Sequence, residues 1–346
     1  MANPQLFGFR KLKTFPWPSA GAGVTTPVNQ VIVDLKDFLQ REIVSRVLVR
    51  AQGNVTVAGA GPGTPTGRDN PEAIIVNLNA RHAPTLGVQS KNNITSRGII
   101  QQGIFDRGYS IHAPAIADAA AVVAVDFQLP LMFKQPGSVN PIEWGLPLSL
   151  FEQYQIIVNA GGRDQLFTGG TNTWDLTNMN IQFWADFDYG VAGNFHIIEE
   201  FENVIPVLQT QTDLAVQLER GFLYTHLNLT AERDNVKDNA ILNSWTVQSA
   251  GRVWTPQGDG NAPLIQRWNR ETHVYSAAED LTGNYFIPCL RDGMYKRALD
   301  NLENRLELKF DVTLGGGTVR QLRLHGRRII PLGLQVRGAQ PTVKTA

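Results

Sequence analysis

Two stretches of this chain follow one plan. In residues 181–208, IQFWADFDYGVAGNFHIIEEFENVIPVL, the residues Ile181, Phe183, Ala185, Phe187 and Tyr189 alternate with Gln182, Trp184, Asp186 and Asp188. Successive strand side chains point to opposite faces, so this run predicts a strand with one buried face. Gly190 and Gly193 permit a reversal, and a second extended run ends in Ile205-Pro206. Residues 306–334, LELKFDVTLGGGTVRQLRLHGRRIIPLGL, repeat the plan. Leu306, Leu308, Phe310, Val312 and Leu314 alternate with polar residues, Gly315 opens the turn, and the run ends in Ile330-Pro331. Ile181 to Pro206 and Leu306 to Pro331 have the same separation without a gap. The chain closes one β-unit near position 206 and a second near 331.

The openings of the two units also echo each other. Arg46, Asn54 and Thr56 match Arg220, Asn228 and Thr230 at one offset, and Asp34-Leu35 resembles Asp213-Leu214. Recurrence of both ends points to an internal duplication of whole domains, and 346 residues suffice for two cores. Residues 31–35, 44–57, 73–78 and 121–133 read as strands of the first unit, the last of them buried on both faces. Residues 145–170 fit either a helix or a strand. In the second unit 241–247, 273–276 and 285–290 are strand candidates. Residues 292–304 are the best helix, with Asp292 as cap and Met294, Tyr295, Ala298, Leu299 and Leu302 on one face. Many short strands with long loops predict an all-β chain of two tandem units.

The chemistry of a catalyst is missing. Six histidines stand singly at 82, 112, 196, 226, 273 and 325, in no metal-binding pattern. The lone Cys289 cannot build a disulfide framework and reads as a small buried hydrophobe. Glu199, Glu200 and Glu202 are the densest acidic cluster, but neighbours on a strand diverge, so a solvated face is expected. Arg320, Arg323, Arg327 and Arg328 cluster in the closing strands, as a phosphate strip or as partners for the second unit's own acids. No nucleophile elbow occurs, and the glycine runs read as turns. The N-x-T sequons at Asn54, Asn93 and Asn228 read as coincidental without a secretory signal. No metal, cofactor or small-molecule substrate is expected, and the chain reads as a non-enzyme. Charged residues are only 18% and the formal net charge is zero, which favours association over mutual repulsion.

Residues 1–27 carry Arg10, Lys11 and Lys13 and no acid, interleaved with Phe7, Phe9, Phe15 and Trp17. Disordered tails usually hold few aromatics, so an arm that orders on a partner surface is the preferred reading.

Two tandem β-units with recurring ends, an aromatic-basic arm and no catalytic constellation resemble the double jelly-roll major capsid proteins of icosahedral, internal-membrane phages and viruses (tectivirus, corticovirus and finnlakevirus-like). The resemblance covers residues 28–336. It implies two tandem eight-stranded jelly rolls, at 28–208 and 209–336, with few short helices, an arm at 1–27 and a tail at 337–346. It implies a major capsid protein that is made in the host cytoplasm and resides in the virion. Homotrimers would form pseudo-hexameric tiles that contact neighbouring capsomers and vertex (penton) and minor capsid proteins. The arm would lie inside the shell, where Arg10, Lys11 and Lys13 meet phosphates of an internal lipid membrane or, non-specifically, of the genome. Phe7, Phe9, Phe15 and Trp17 would add apolar contact. The competing reading is a carbohydrate- or receptor-binding tandem jelly roll, in which Trp174, Trp254 and Trp268 form a sugar platform.

Overall fold

The computed structural model describes residues 6–18, 29–68, 71–84, 91–107, 113–134, 145–189, 196–249, 252–254, 260–272, 281–289, 299–301 and 305–331. Its principal elements are β1 (Leu6–Pro16), β2 (Asn29–Asp34), β3 (Ile43–Ala58), β4 (Ile75–Pro84), β5 (Lys91–Thr95), α1 (Ser96–Arg107), β6 (Ala121–Met132), β7 (Phe151–Ala160), β8 (Met179–Tyr189) and β9 (His196–Pro206). The chain continues with β10 (Gln211–Gln217), β11 (Phe222–Arg233), β12 (Leu242–Ser249), α2 (Ala262–Thr272), β13 (Asn284–Pro288), β14 (Leu306–Val312) and β15 (Arg320–Pro331).

The duplicated closing runs fold as the sequence predicts. β8 buries Ile181, Phe183, Ala185 and Phe187, and β14 buries Leu306, Leu308, Phe310 and Val312. β8 lies between β1 and β3 in a six-stranded sheet, with β6 on the far side of β3. β14 lies between β10 and β12 in a four-stranded sheet. Both chains then cross into one ten-stranded sheet, in which β11, β15, β9, β5, β4, β7 and β2 are successive neighbours. There β9 and β15 pair antiparallel over their whole length, from His196 opposite Pro331 to Pro206 opposite Gln321. The smaller sheets cover this common sheet to form two rolls, one core holding Phe183, Val49 and Ile156 and the other Trp245, Phe310 and Leu229.

Several expectations change. The opening echo is not structural: β3, which carries Arg46, joins the six-stranded sheet beside β8, whereas β11, which carries Asn228, joins the ten-stranded sheet beside β15. Polar residues alternating through any half-buried strand produce such a match. β6 buries only Val125, Phe127, Leu129 and Leu131, so it has one buried face rather than two. Residues 151–160 are a strand. Of the helix expected at 292–304, residues 299–301 form a short strand on β11, and 291–298 and 302–304 lie outside the described residues. The strand candidate at 273–276 lies outside them too. Among the described residues the α-helices are α1 and α2. α1 has weak amphipathic patterning because it is buried nearly all round, with Arg97 and Gln102 buried on it as well as Ile99, Ile100 and Ile104.

The segment set apart as an arm enters the first roll. β1 pairs along β8, with a bulge at Leu12 that turns this side chain into the core. Trp17 is buried and its ring N–H donates to Gly161 O at 3.3 Å. Aromatic and aliphatic area at Leu12, Phe15 and Trp17 explains why this basic segment adheres to its own sheet.

Candidate functional site: the seam between the rolls

The β9–β15 ladder joins the rolls, and its two faces differ. Residues directly opposite share a face. On the first face Ile197 and Ile330 enter one core, Ile205 and Leu322 enter the other, and Glu199–Arg328 and Phe201–Gly326 lie between them. The second face carries Glu200 opposite Arg327, Glu202 opposite His325 and Val204 opposite Arg323, and α1 contributes Arg97, Gln102 and Asp106 to it.

This second face is a buried polar layer. Arg327 is fully buried and reaches Glu200 at 2.7 Å and both Asp106 oxygens at 3.1 and 2.8 Å. Arg323 pairs with Glu202 and lies 3.5 Å from Glu232, which also holds Arg97 at 3.2 Å. Glu202 accepts from Thr95 N–H and Oγ1, both at 2.7 Å, at the start of α1. The Gln102 amide meets His226 Nε2 at 2.9 Å. Burial raises the Glu200 carboxyl to about 7, with Arg327 pulling it down and Asp106 pushing it up. Burial lowers His325 to about 4 even though Glu202 lies 3.8 Å away.

The acidic cluster is therefore not a solvated face. Glu199 and Glu200 are each 1% exposed. The strand does send neighbouring carboxylates to opposite faces, but each meets an arginine of β15 there. Nor do the arginines serve only the second unit's acids, because Arg323, Arg327 and Arg328 all pair with β9. Sequence reasoning found both clusters and could not pair them, since that requires the register. It missed Asp106 and Arg97, which look like surface charges on a helix until α1 is seen covering the ladder.

On the first face Arg328 bonds Glu199 at 3.0 Å and Glu219 at 2.7 Å while its guanidinium lies 3.6 Å above the Phe222 ring centre. It forms part of the floor of a cleft of about 520 Å³ between the rolls.

The remaining candidates stand elsewhere. Phe9 stacks on Trp184 at 5.1 Å, Lys11 and Lys13 lie over the rings of Trp184 and Phe15, and Phe15 meets Phe183 edge-on. Phe9, Arg10, Lys11 and Lys13 are exposed along β1, and the Phe7 side chain lies outside the described residues. Trp174, expected in an exposed sugar platform, is buried, and its ring N–H donates to Asp118 Oδ1 at 2.9 Å. Trp268 is half-buried, and the Trp254 side chain lies outside the described residues. His82, His226 and His325 are buried, and among the described residues no hydrogen bond reaches the His325 ring. His112, His273 and the His196 side chain lie outside the described residues. Asn228 is buried, so its sequon has no access to a modifying enzyme. Cys289 is half-buried against the second core.

No protein-family model matches this chain, and no curated protein is similar to it. Solved structures are similar over nearly its full length. The major capsid protein of Sulfolobus turreted icosahedral virus matches with a TM-score of 0.67 at 10% identity, covering 97% of this chain and 100% of that one. The major capsid protein of bacteriophage PM2 matches with a TM-score of 0.59 at 12% identity, covering 94% and 97%. The Faustovirus major capsid protein matches with a TM-score of 0.57 at 9% identity, covering 95% and 91%. The chain has the double jelly-roll fold, and its structural neighbours are major capsid proteins of icosahedral viruses.

Proposed function

We propose that the chain is a major capsid protein, a structural virion component whose copies assemble into an icosahedral shell. One observation carries this reading. Two rolls share a ten-stranded sheet and are riveted by a buried ladder of ion pairs, so the chain forms one block with two similar halves. Three such blocks around an axis present six similar rolls, a pseudo-hexagonal tile that packs with neighbouring tiles and with vertex and minor capsid proteins. Rolls at 28–208 and 209–336, the segment 1–27 whose β1 adds a strand to the first roll, and a tail at 337–346 are the units of this tile. Native mass measurement followed by electron microscopy tests it. Trimers and closed shells are expected, and a chain that stays monomeric at micromolar concentration refutes the proposal.

The exposed part of β1 faces the shell interior in this reading. Among the described residues, Arg10, Lys11 and Lys13 form no ion pair with an acid, which leaves them for an anionic partner. Lipid phosphate of an internal membrane is the partner favoured by the adjoining exposed Phe9.

A further inference from the structure

The cleft between the rolls has the features of a peptide site. Its walls come from both rolls, with Asn93 and Asn203 on one side and residues 216–219 on the other. Among the described residues β10 is the outermost strand of its sheet and pairs only with β14. Val216 and Gln217 of β10 line the cleft and β14 does not, so the cleft meets β10 at the end of its outer edge. Leu218 N–H bonds Leu306 O at 3.0 Å. Antiparallel ladders alternate, so the main-chain N–H and C=O of Gln217 point the other way, into the cleft.

Three side-chain amides line the cleft. Asn93, Asn203 and Gln217 are exposed and make no side-chain hydrogen bond among the described residues. Several buried amides, by contrast, are engaged: Gln102 bonds His226, Asn269 bonds Phe286 and Asn301 bonds Glu219. The mouth also carries an exposed carboxylate. Arg328 is shared by Glu199 and Glu219, and Glu219 remains 67% exposed. A strand edge unpaired among the described residues, free amides and an exposed carboxylate together match an extended main chain with a cationic side chain.

We propose that this cleft docks an extended, basic peptide segment, which adds to the edge of β10 and sets a Lys or Arg beside Glu219. The inference is independent of the shell reading. Phe201 supplies an apolar floor for a flanking side chain, and Asn93 and Asn203 bond the main chain that β10 does not reach.

The test is fluorescence anisotropy with a labelled peptide of sequence LGLQVR, which is residues 332–337 of this chain and carries one arginine. The peptide is titrated into the full-length chain and into its Arg337→Glu/Lys344→Glu variant, whose own C-terminal sequence offers no competing cation. Saturable binding to either is expected. Binding to the variant alone assigns the cleft to the chain's own basic sequence. Glu219→Lys is expected to weaken binding at least tenfold, and LGLQVE is expected to recover it. Gln217→Pro, which removes an outward N–H that the β10–β14 ladder does not use, is expected to weaken it similarly. Absence of binding to both chains at about 1 mM peptide overturns the proposal. Binding indifferent to Glu219→Lys in a chain with an unchanged melting point overturns it as well.

Discussion

Phe201 and Gly326 face each other at the middle of the β9–β15 ladder, and a Cβ on Gly326 would stand 2.4 Å from the Phe201 ring. The sequence echo that carries Ile181 onto Leu306 also carries Phe201 onto Gly326, its partner in the ladder. The two closing strands are thus copies of one another laid antiparallel about this pair. Ile197–Ile330 sits on one side of it in the first core, and Ile205–Leu322 on the other side in the second.

Gly326→Ala is expected to strain this centre. The new methyl group meets Phe201 and also lies 3.0 Å from His226 O, so the ring must move against buried neighbours. Overpacking of this kind costs roughly 1–3 kcal/mol. Thermal unfolding should show a lower midpoint, with both rolls affected together. An unchanged midpoint would mean that the seam yields without cost.

Arg327 and Glu200 should respond unequally to neutralisation. Arg327→Met strands the Asp106 carboxylate and removes the partner of the Glu200 carboxyl in a dry site, and removal of one partner from a buried pair costs about 3–5 kcal/mol. Glu200 has a carboxyl raised to about 7 by burial, so near pH 6 it is already mostly protonated and Glu200→Gln resembles it. Denaturant unfolding at pH 6 should rank Arg327→Met far below Glu200→Gln. Because a raised carboxyl favours the fold at low pH, that part of the stability is lost as pH rises from about 4.5 towards 7, and Glu200→Gln should flatten this slope. Equal losses in the two variants would contradict the assignment.

The legible parts of the fold were those written in local periodicity. β8 and β14 announce themselves because period-two alternation meets a one-sided core, and the repeat of Ile-Pro marks where each unit closes. The seam was illegible for a physical reason. Glu199, Glu200 and Glu202 read as surface because a charge is buried only against a partner, and their partners lie more than a hundred residues away. α1 escaped because polar and apolar side chains are both buried around it: Gln102, Asp106 and Arg97 meet the polar layer while Ile99, Ile100 and Ile104 enter apolar clusters, so no single apolar stripe stands out. β1 was separated from the roll because its charges are visible in sequence, whereas the bulge that buries Leu12 is not.

His82 should make the first roll sensitive to acid. It is stacked on Tyr154 and meets Phe151 edge-on, and burial holds it at about 4 against an ordinary 6.5. The folded chain keeps the ring neutral while the unfolded chain protonates, so stability falls as pH drops from about 6.5 to 4. The full effect of such a shift is about 3 kcal/mol. His82→Phe should remove this part of the pH dependence, read as melting midpoint against pH. A slope identical to that of the wild-type chain would show that His82 protonates in place.

The last prediction separates the two roles of β1. Leu12 and Trp17 hold the strand in the roll, whereas Arg10, Lys11 and Lys13 point outward. Deleting the segment would therefore confuse folding with assembly, and the triple replacement Arg10→Gln, Lys11→Gln, Lys13→Gln does not. Each basic group near an anionic lipid surface contributes on the order of 1 kcal/mol, so three give weak attachment per chain. Repetition over a shell makes that attachment strong, because each copy holds its neighbours near the surface. The triple variant should keep its melting point and its oligomeric state, yet lose flotation with vesicles containing anionic phospholipid and fail to enclose a membrane on assembly. Retained flotation would remove lipid from the proposal, and loss of nucleic-acid retention in its place would assign these residues to the genome.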